Sequence, residues 1–270
     1  MDITMIFATI LFMIVAVIFS PLGLGGGVLY VPIFHYILEW DFQEAVIGSL
    51  TLVLMVTIGS GLAHSKTGNA NHDAVKMGRI FAAPSAIIGT LLSGFLISAI
   101  GDISIKIIAI AILLFVVNRT ITKMNQEEKP GHEGPTQLSD VSQTYKLGSS
   151  FAGMTSGLLG IGGGAILVTL NRNILKMDAN KSSGTSYLVA STIVPIALLS
   201  HILLTDAATG VVGNTGYIGI IAIPTIVCLS AYFGAKYAIS NMPRKIVTQI
   251  FLAAISLGIL RYAIDVISKF

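Results

Sequence analysis

Charge is scarce in this chain. Only 11% of its 270 residues are Asp, Glu, Lys or Arg, against 54% apolar residues and a mean hydropathy of +0.84. That balance excludes a soluble domain and implies an integral membrane protein. There is a single cysteine, Cys228, so an intrachain disulfide is impossible, and no Cys/His spacing suggests a metal site. No strand precedes the glycine-rich stretches, so a G-x-G-x-x-G dinucleotide fingerprint fails on context; neither a cofactor nor a nucleic-acid partner is expected. The first apolar run, residues 3–19, has no basic start and no small-residue cleavage site, which makes it part of the mature fold rather than a secretory signal.

What the chain has is long apolar runs, several near the roughly 20 residues a helix needs to cross a bilayer. Spanning segments are restricted to helices or closed barrels, and the runs lack strict alternation, so the expected class is an all-α polytopic membrane protein. Helices are expected near 45–63, 74–97, 104–118, 182–204, 217–238 and 245–267. Between them 119–146 is polar, with Glu127, Glu128, Lys129, Pro130, Gly131, Glu133, Gly134 and Pro135, a composition that reads as a linker. The expected division is therefore a first repeat at 1–118, a linker at 119–146 and a second repeat at 147–270.

Two apolar runs are cut by glycines. Gly23-Leu24-Gly25-Gly26-Gly27 recurs 137 positions later as Gly160-Ile161-Gly162-Gly163-Gly164. At the same offset Ser49 meets Ser186 and His64 meets His201. This is an internal duplication, and duplicated glycine-interrupted segments point to a transporter whose site lies where the repeats meet.

Basic residues orient the chain, because cytoplasmic flanks carry the excess. If each broken segment dips into the membrane and returns, thirteen of the sixteen Lys and Arg fall on one side, from Lys66, Lys76 and Arg79 through the linker to Lys236, Arg244 and Lys245. Lys106, Arg261 and Lys269 stay opposite, with the acidic turn Glu39, Asp41, Glu44. If each crosses fully, the bias disappears. The expectation is two inverted repeats, each a re-entrant V-shaped helical hairpin followed by three transmembrane helices, with the linker cytoplasmic and both termini outside a plasma or inner membrane.

At each hairpin tip the second arm begins with N–H groups that have no helical acceptor, at Gly25, Gly26, Gly27 and Val28 and at Gly162, Gly163, Gly164 and Ala165. Such a helix start carries roughly +0.5 elementary charge and suits a small oxyanion. The first arms end there too and offer carbonyls to a cation, but no Asp or Glu lies in the middle of an expected crossing, which favours an anion. Close helix packing is the competing account of the glycines. Ser49, Thr51, Thr185 and Ser186 stand early in the following helices, where a hydroxyl donates either to a ligand or to its own helix. His64 and His201, at the far ends of those helices, are candidates for gating or proton coupling. His35, Asn171 and Arg172 lie in or at the exits of the second arms, where Arg172 serves either to attract anions or to orient the chain.

With these features the chain resembles the TauE/SafE family of sulfite exporters, also called TSUP. The second half carries the likeness most fully, in Gly157-Leu158-Leu159-Gly160-Ile161-Gly162-Gly163-Gly164 followed by Gly184-Thr185-Ser186; the first half departs at Pro21 and at Gly48-Ser49-Leu50. The resemblance implies transport of sulfite, sulfoacetate or a related sulfonate. The expected function is alternating access of two repeats around a small anion. An anion channel pored at the two tips is the alternative. An intramembrane enzyme built on Ser60 and His64 is a remote third, since no stabilising acid accompanies the pair. The expected partners are a small anion and the lipid bilayer, and monomer and homodimer both stay open.

Overall fold

The computed structural model describes residues 2–65, 70–127, 136–241 and 244–269. Lys66 and the linker residues 128–135 lie outside them, as do the side chains of Lys123, Arg244 and Lys245. Ten helices occur among the described residues: α1 (Ile3–Phe19), α2 (Gly27–Pro32), α3 (Phe42–Ser65), α4 (His72–Ile100), α5 (Asp102–Glu127), α6 (Ser142–Leu159), α7 (Gly164–Asn173), α8 (Ala179–Leu204), α9 (Ala207–Asn241) and α10 (Arg244–Ser268). Six segments are long and apolar enough to cross a membrane, drawn from α1, α3, α4, α5, α8 and α9.

The helix ends follow local chemistry. Asp2 caps α1 by accepting from the Ile3 N–H at 2.7 Å, and Asp178 caps α8 by accepting from the Asn180 and Lys181 N–H groups. A short 3₁₀ turn, Ser20–Leu22, follows α1, and the chain then turns at Gly23 with φ +79°. The Gly160 turn ends α6 with φ +70°. After Pro32 the α2 helix loosens into a π turn, Ile33–Ile37, as proline removes an intrahelical donor. The polar stretch is more helical than its composition suggests: α5 runs on to Glu127 and α6 begins at Ser142. The residues 119–127 and 142–146 therefore extend the flanking helices, whose good helix formers continue the adjoining turns.

Packing exchanges the two halves. Helix α4 packs on α6 as α9 packs on α1; α3 meets α9 as α8 meets α4; α2 meets α10 as α7 meets α5; α3 also meets α8 and α5 meets α10. The α4–α6 seam is built on Gly89, Gly153 and Gly157, where an added Cβ would run into the opposing backbone at Met154, Ala82 and Ala86. Gly234 opposes Val17 in the same manner on the α1–α9 seam. Without a hydrophobic drive between helices in lipid, such small residues let backbones approach and gain dispersion contacts. Helices α3 and α8 form the centre, with Leu50, Val53 and Val56 of one and Val189, Ile193 and Val194 of the other buried. Neither α7, at 10 residues, nor the apolar stretch Gly27–Ile37 crosses a bilayer core, because at 1.5 Å per residue each reaches only about 15 Å of roughly 30 Å.

Candidate functional site

Both glycine motifs take the same backbone path. Gly23, Gly25 and Gly26 have φ of +79°, +77° and +86°, and Gly160, Gly162 and Gly163 have +70°, +78° and +68°. Residues with a Cβ resist this left-handed region, at a cost of roughly 1–2 kcal/mol each, which is why glycines recur at these places. The last glycine of each motif opens a helix. The Leu29 N–H donates to the Gly26 carbonyl at 3.0 Å and the Leu167 N–H to the Gly163 carbonyl at 3.0 Å, so the N–H groups of Gly27, Val28, Gly164 and Ala165 precede the first helical donors of α2 and α7.

The two tips meet. A Cβ on Gly27 would stand 2.6 Å from Ile161 Cα and 2.8 Å from the Gly160 carbonyl oxygen; one on Gly164 would stand 2.7 Å from the Gly23 carbonyl oxygen and 2.9 Å from the Leu24 carbonyl carbon. These are the same contact seen from each side of the duplication. Ser49 Oγ donates to the Gly160 carbonyl at 2.8 Å, and Ser186 Oγ donates to the Gly23 carbonyl at 2.9 Å. Each serine is fully buried and reaches across to the other repeat's motif. Val53 of α3 touches both Gly25 and Gly162. The serine donors are thus committed to carbonyls, and the tips lie in backbone contact.

The other expected site residues divide. Thr51 Oγ1 donates to its own helix at the Ile47 carbonyl, 2.9 Å away. Thr185 Oγ1 accepts from the Asn71 N–H at 3.0 Å and faces the Met177 sulfur. Neither threonine reaches the tips. His64 and His201 lie at the ends of α3 and α8 and are buried, 1% and 0% exposed. The His201 Nε2–H donates to the Gly157 carbonyl at 2.6 Å and the His64 Nε2–H to the Ser20 carbonyl at 3.4 Å. Each imidazole therefore fastens the end of a first arm, three residues before its glycine motif. Asn171 accepts from Tyr145 Oη at 2.9 Å and donates to the Ser182 carbonyl at 3.2 Å, tying α7 to α6 and α8.

Sequence reasoning missed two features. Tyr187 Oη donates to the Phe19 and Ser20 carbonyls at 3.1 and 2.9 Å, so α8 of the second half holds the first arm of the first half. Nothing in the repeat announces it, since Leu50 stands at the equivalent position. Lys106, 1% exposed, pairs with Asp102 at 2.5 Å and with Asp265. Lys269 reaches Asp102 at 3.1 Å, Tyr36 Oη donates to Asp265 at 3.2 Å, and Arg261 lies 3.8 Å over the Tyr36 ring. The i, i+4 spacing of Asp102 and Lys106 was the available signal. His35, Asp102 and Asp265 bring ligand atoms within 4.8 Å of one another. The Lys106 ammonium is bonded to both carboxylates.

Comparison with known proteins identifies the family. The profile of the family described as "Sulfite exporter TauE/SafE" matches residues 8–262. A protein of Methanocaldococcus jannaschii named as a probable membrane transporter is 28% identical over 235 residues, 84% of this chain and 82% of the relative. One of Haemophilus influenzae, named in the same words, is 29% identical over 154 residues, 54% of each chain. No solved structure matches this chain.

Proposed function

The chain belongs to the TauE/SafE sulfite exporter family, multi-pass membrane transporters rather than enzymes, and from that premise we infer that it carries a small sulfur-containing or organic anion by alternating access. Sulfite, sulfoacetate and related sulfonates are the substrates that the family points to. The observation that carries the reading is the reciprocal contact of the tips: Ser49 on the Gly160 carbonyl, Ser186 on the Gly23 carbonyl, and Gly27 and Gly164 each against the opposite motif. A two-fold joint of this kind has a closed arrangement and, if the tips part, an open one.

In the open arrangement the two serine hydroxyls lose their carbonyls and can turn to an anion beside the N–H groups of Gly25 to Val28 and Gly162 to Ala165. Two helix starts then supply positive potential without a buried Lys or Arg. The serines thus exchange a backbone acceptor for a substrate acceptor as the site opens. The shortness of α7 and of Gly27–Ile37 supports re-entrant hairpins, and with three crossings after each the second repeat is inverted relative to the first. Among the described basic residues, Lys76, Arg79, Arg119, Lys146, Arg172, Lys176, Lys181 and Lys236 then face the cytoplasm, and both termini face outside.

The test is flux into proteoliposomes together with thermal shift of the purified protein, using sulfite, sulfoacetate and chloride. Saturable uptake of the sulfur anions with little chloride movement is expected. Flux that stays proportional to concentration would favour the channel reading, and stabilisation by none of these anions would overturn the anion site.

A further inference from the structure

Away from the tips an apolar cavity of about 310 Å³ lies between α1, α3, α8 and α9, within the range of pockets that hold small organic ligands. Its cause is local. Helix α9 breaks at Gly216, whose φ of +69° and ψ of 160° suit only glycine, and residues on both sides of the break, Val211, Thr215 and Ile223 among them, line the space. Across from them stand Trp40, Phe34 and one face of α3. That face, carrying Ile47, Gly48, Thr51 and Leu52, is opposite the one from which Ser49 and Val53 reach the tips. The cavity is therefore separate from the anion path, with α3 as the wall between.

Its surroundings say what enters. Ile202 and Val212 line it and are partly exposed, and their neighbours Leu203, Tyr217, Ile218 and Ile221 are 71–82% exposed, so the mouth opens through apolar surface, where the solvent is the bilayer. The rim has one sign of charge. Glu44, one turn before Gly48, lies against Gly210 and accepts from Asn214 Nδ2 at 2.9 Å; exposed Glu39, Asp41 and Asp206 stand at the same end. The segments supplying the lining, 2–65 and 182–235, contain no Lys or Arg. An acidic rim over an apolar cavity repels an anion and attracts a chain that carries a positive head.

We propose that this cavity is a lipid site, taking one acyl chain of a phospholipid with an ammonium headgroup, phosphatidylethanolamine, whose ammonium pairs with Glu44. The occupant is a lipid rather than a soluble cation because the mouth opens through bilayer-facing surface. Trp40, the chain's only tryptophan, is 5% exposed and lines the cavity, so it reports what enters.

The full-length protein is reconstituted in vesicles of phosphatidylethanolamine and phosphatidylglycerol at fixed composition, with brominated acyl chains placed on one lipid or the other. Bromine on phosphatidylethanolamine is expected to quench Trp40 with a loss of emission that saturates as the brominated fraction rises, and bromine on phosphatidylglycerol to quench it less. Val211→Phe, which fills the cavity, should restore emission; Glu44→Gln should keep quenching but remove the difference between the lipids. Equal quenching by both lipids in the wild type, no quenching, or quenching unchanged in a folded Val211→Phe protein overturns the site. A difference that survives Glu44→Gln overturns the headgroup pairing. Quenching by a free brominated alkylammonium and not by brominated lipid makes the occupant a soluble cation and overturns the lipid assignment. The two-lipid comparison on the wild type needs no variant, so it holds even where Val211→Phe fails to fold.

Discussion

Replacing Gly27 by alanine separates the contact between the tips from every other role of glycine. Gly27 does not have positive φ, so alanine meets no left-handed backbone strain there. The new methyl, however, would stand 2.6 Å from Ile161 Cα and 2.8 Å from the Gly160 oxygen. Both are backbone atoms, and no rotamer change relieves them. Overpacking of this kind costs about 1–3 kcal/mol. Gly94→Ala is the control, because that helical glycine has nothing within 4 Å of the added Cβ. Gly164→Ala, against the Gly23 oxygen at 2.7 Å, should behave like Gly27→Ala. The expected result in detergent thermal unfolding is a lower apparent Tm for both tip variants and an unchanged or higher one for Gly94→Ala. If Gly27→Ala unfolds with Gly94→Ala, the tips do not abut and the reasoning from reciprocal contact fails.

Ser49→Ala and Ser186→Ala each leave a buried carbonyl without its donor, for a loss of about 1–3 kcal/mol; because both bonds close one joint, the double variant should depart from additivity by about 0.5–3 kcal/mol in a thermal-unfolding cycle. Lys106→Met removes the ammonium that Asp102 and Asp265 share but leaves them Lys269 and Tyr36, so it should cost about 1.5–3 kcal/mol, whereas Asp265→Asn, which keeps the Asp102 pair, should cost less in the same unfolding assay. Topology is tested with single cysteines in a Cys228→Ser background: replacements at Asp2 and Asp41, both exposed, should label together from outside, and labelling from opposite faces rules out the re-entrant first hairpin. Trp40 is too buried to serve in that test.

The all-helical fold was legible because a membrane leaves one signal, uninterrupted apolar length, and α3, α4, α5, α8 and α9 carry it plainly. The glycine motifs were legible as turns for a different reason: four glycines in five positions break a helix in any surroundings, and the duplication marks the break as shared. What the sequence does not carry is direction. Ser49 stands at a ligand's distance from a tip, but its hydroxyl finds the opposite repeat's carbonyl, since a buried carbonyl without a donor costs more than a hydroxyl turned toward it. His64 and His201 sit at the ends of α3 and α8 as their positions in the chain predict, but their bonds to the first arms and their burial are not written there. The α5 extension through Arg119 to Glu127 escaped notice because a polar helix and a polar linker share a composition until the chain's neighbours decide between them.

The duplication sharpens what the differences mean. Where the repeats match, at the tips, serines and histidines, each residue is used twice in equivalent contacts. Where they differ, the hairpins are held by different chemistry. The second includes the bonds from Tyr145 to Asn171 and from Asn171 to the Ser182 carbonyl. The first is tied at its exit by charge, with Tyr36 bonded to Asp265 and Arg261 stacked on its ring, and Lys106 joining Asp265 to Asp102.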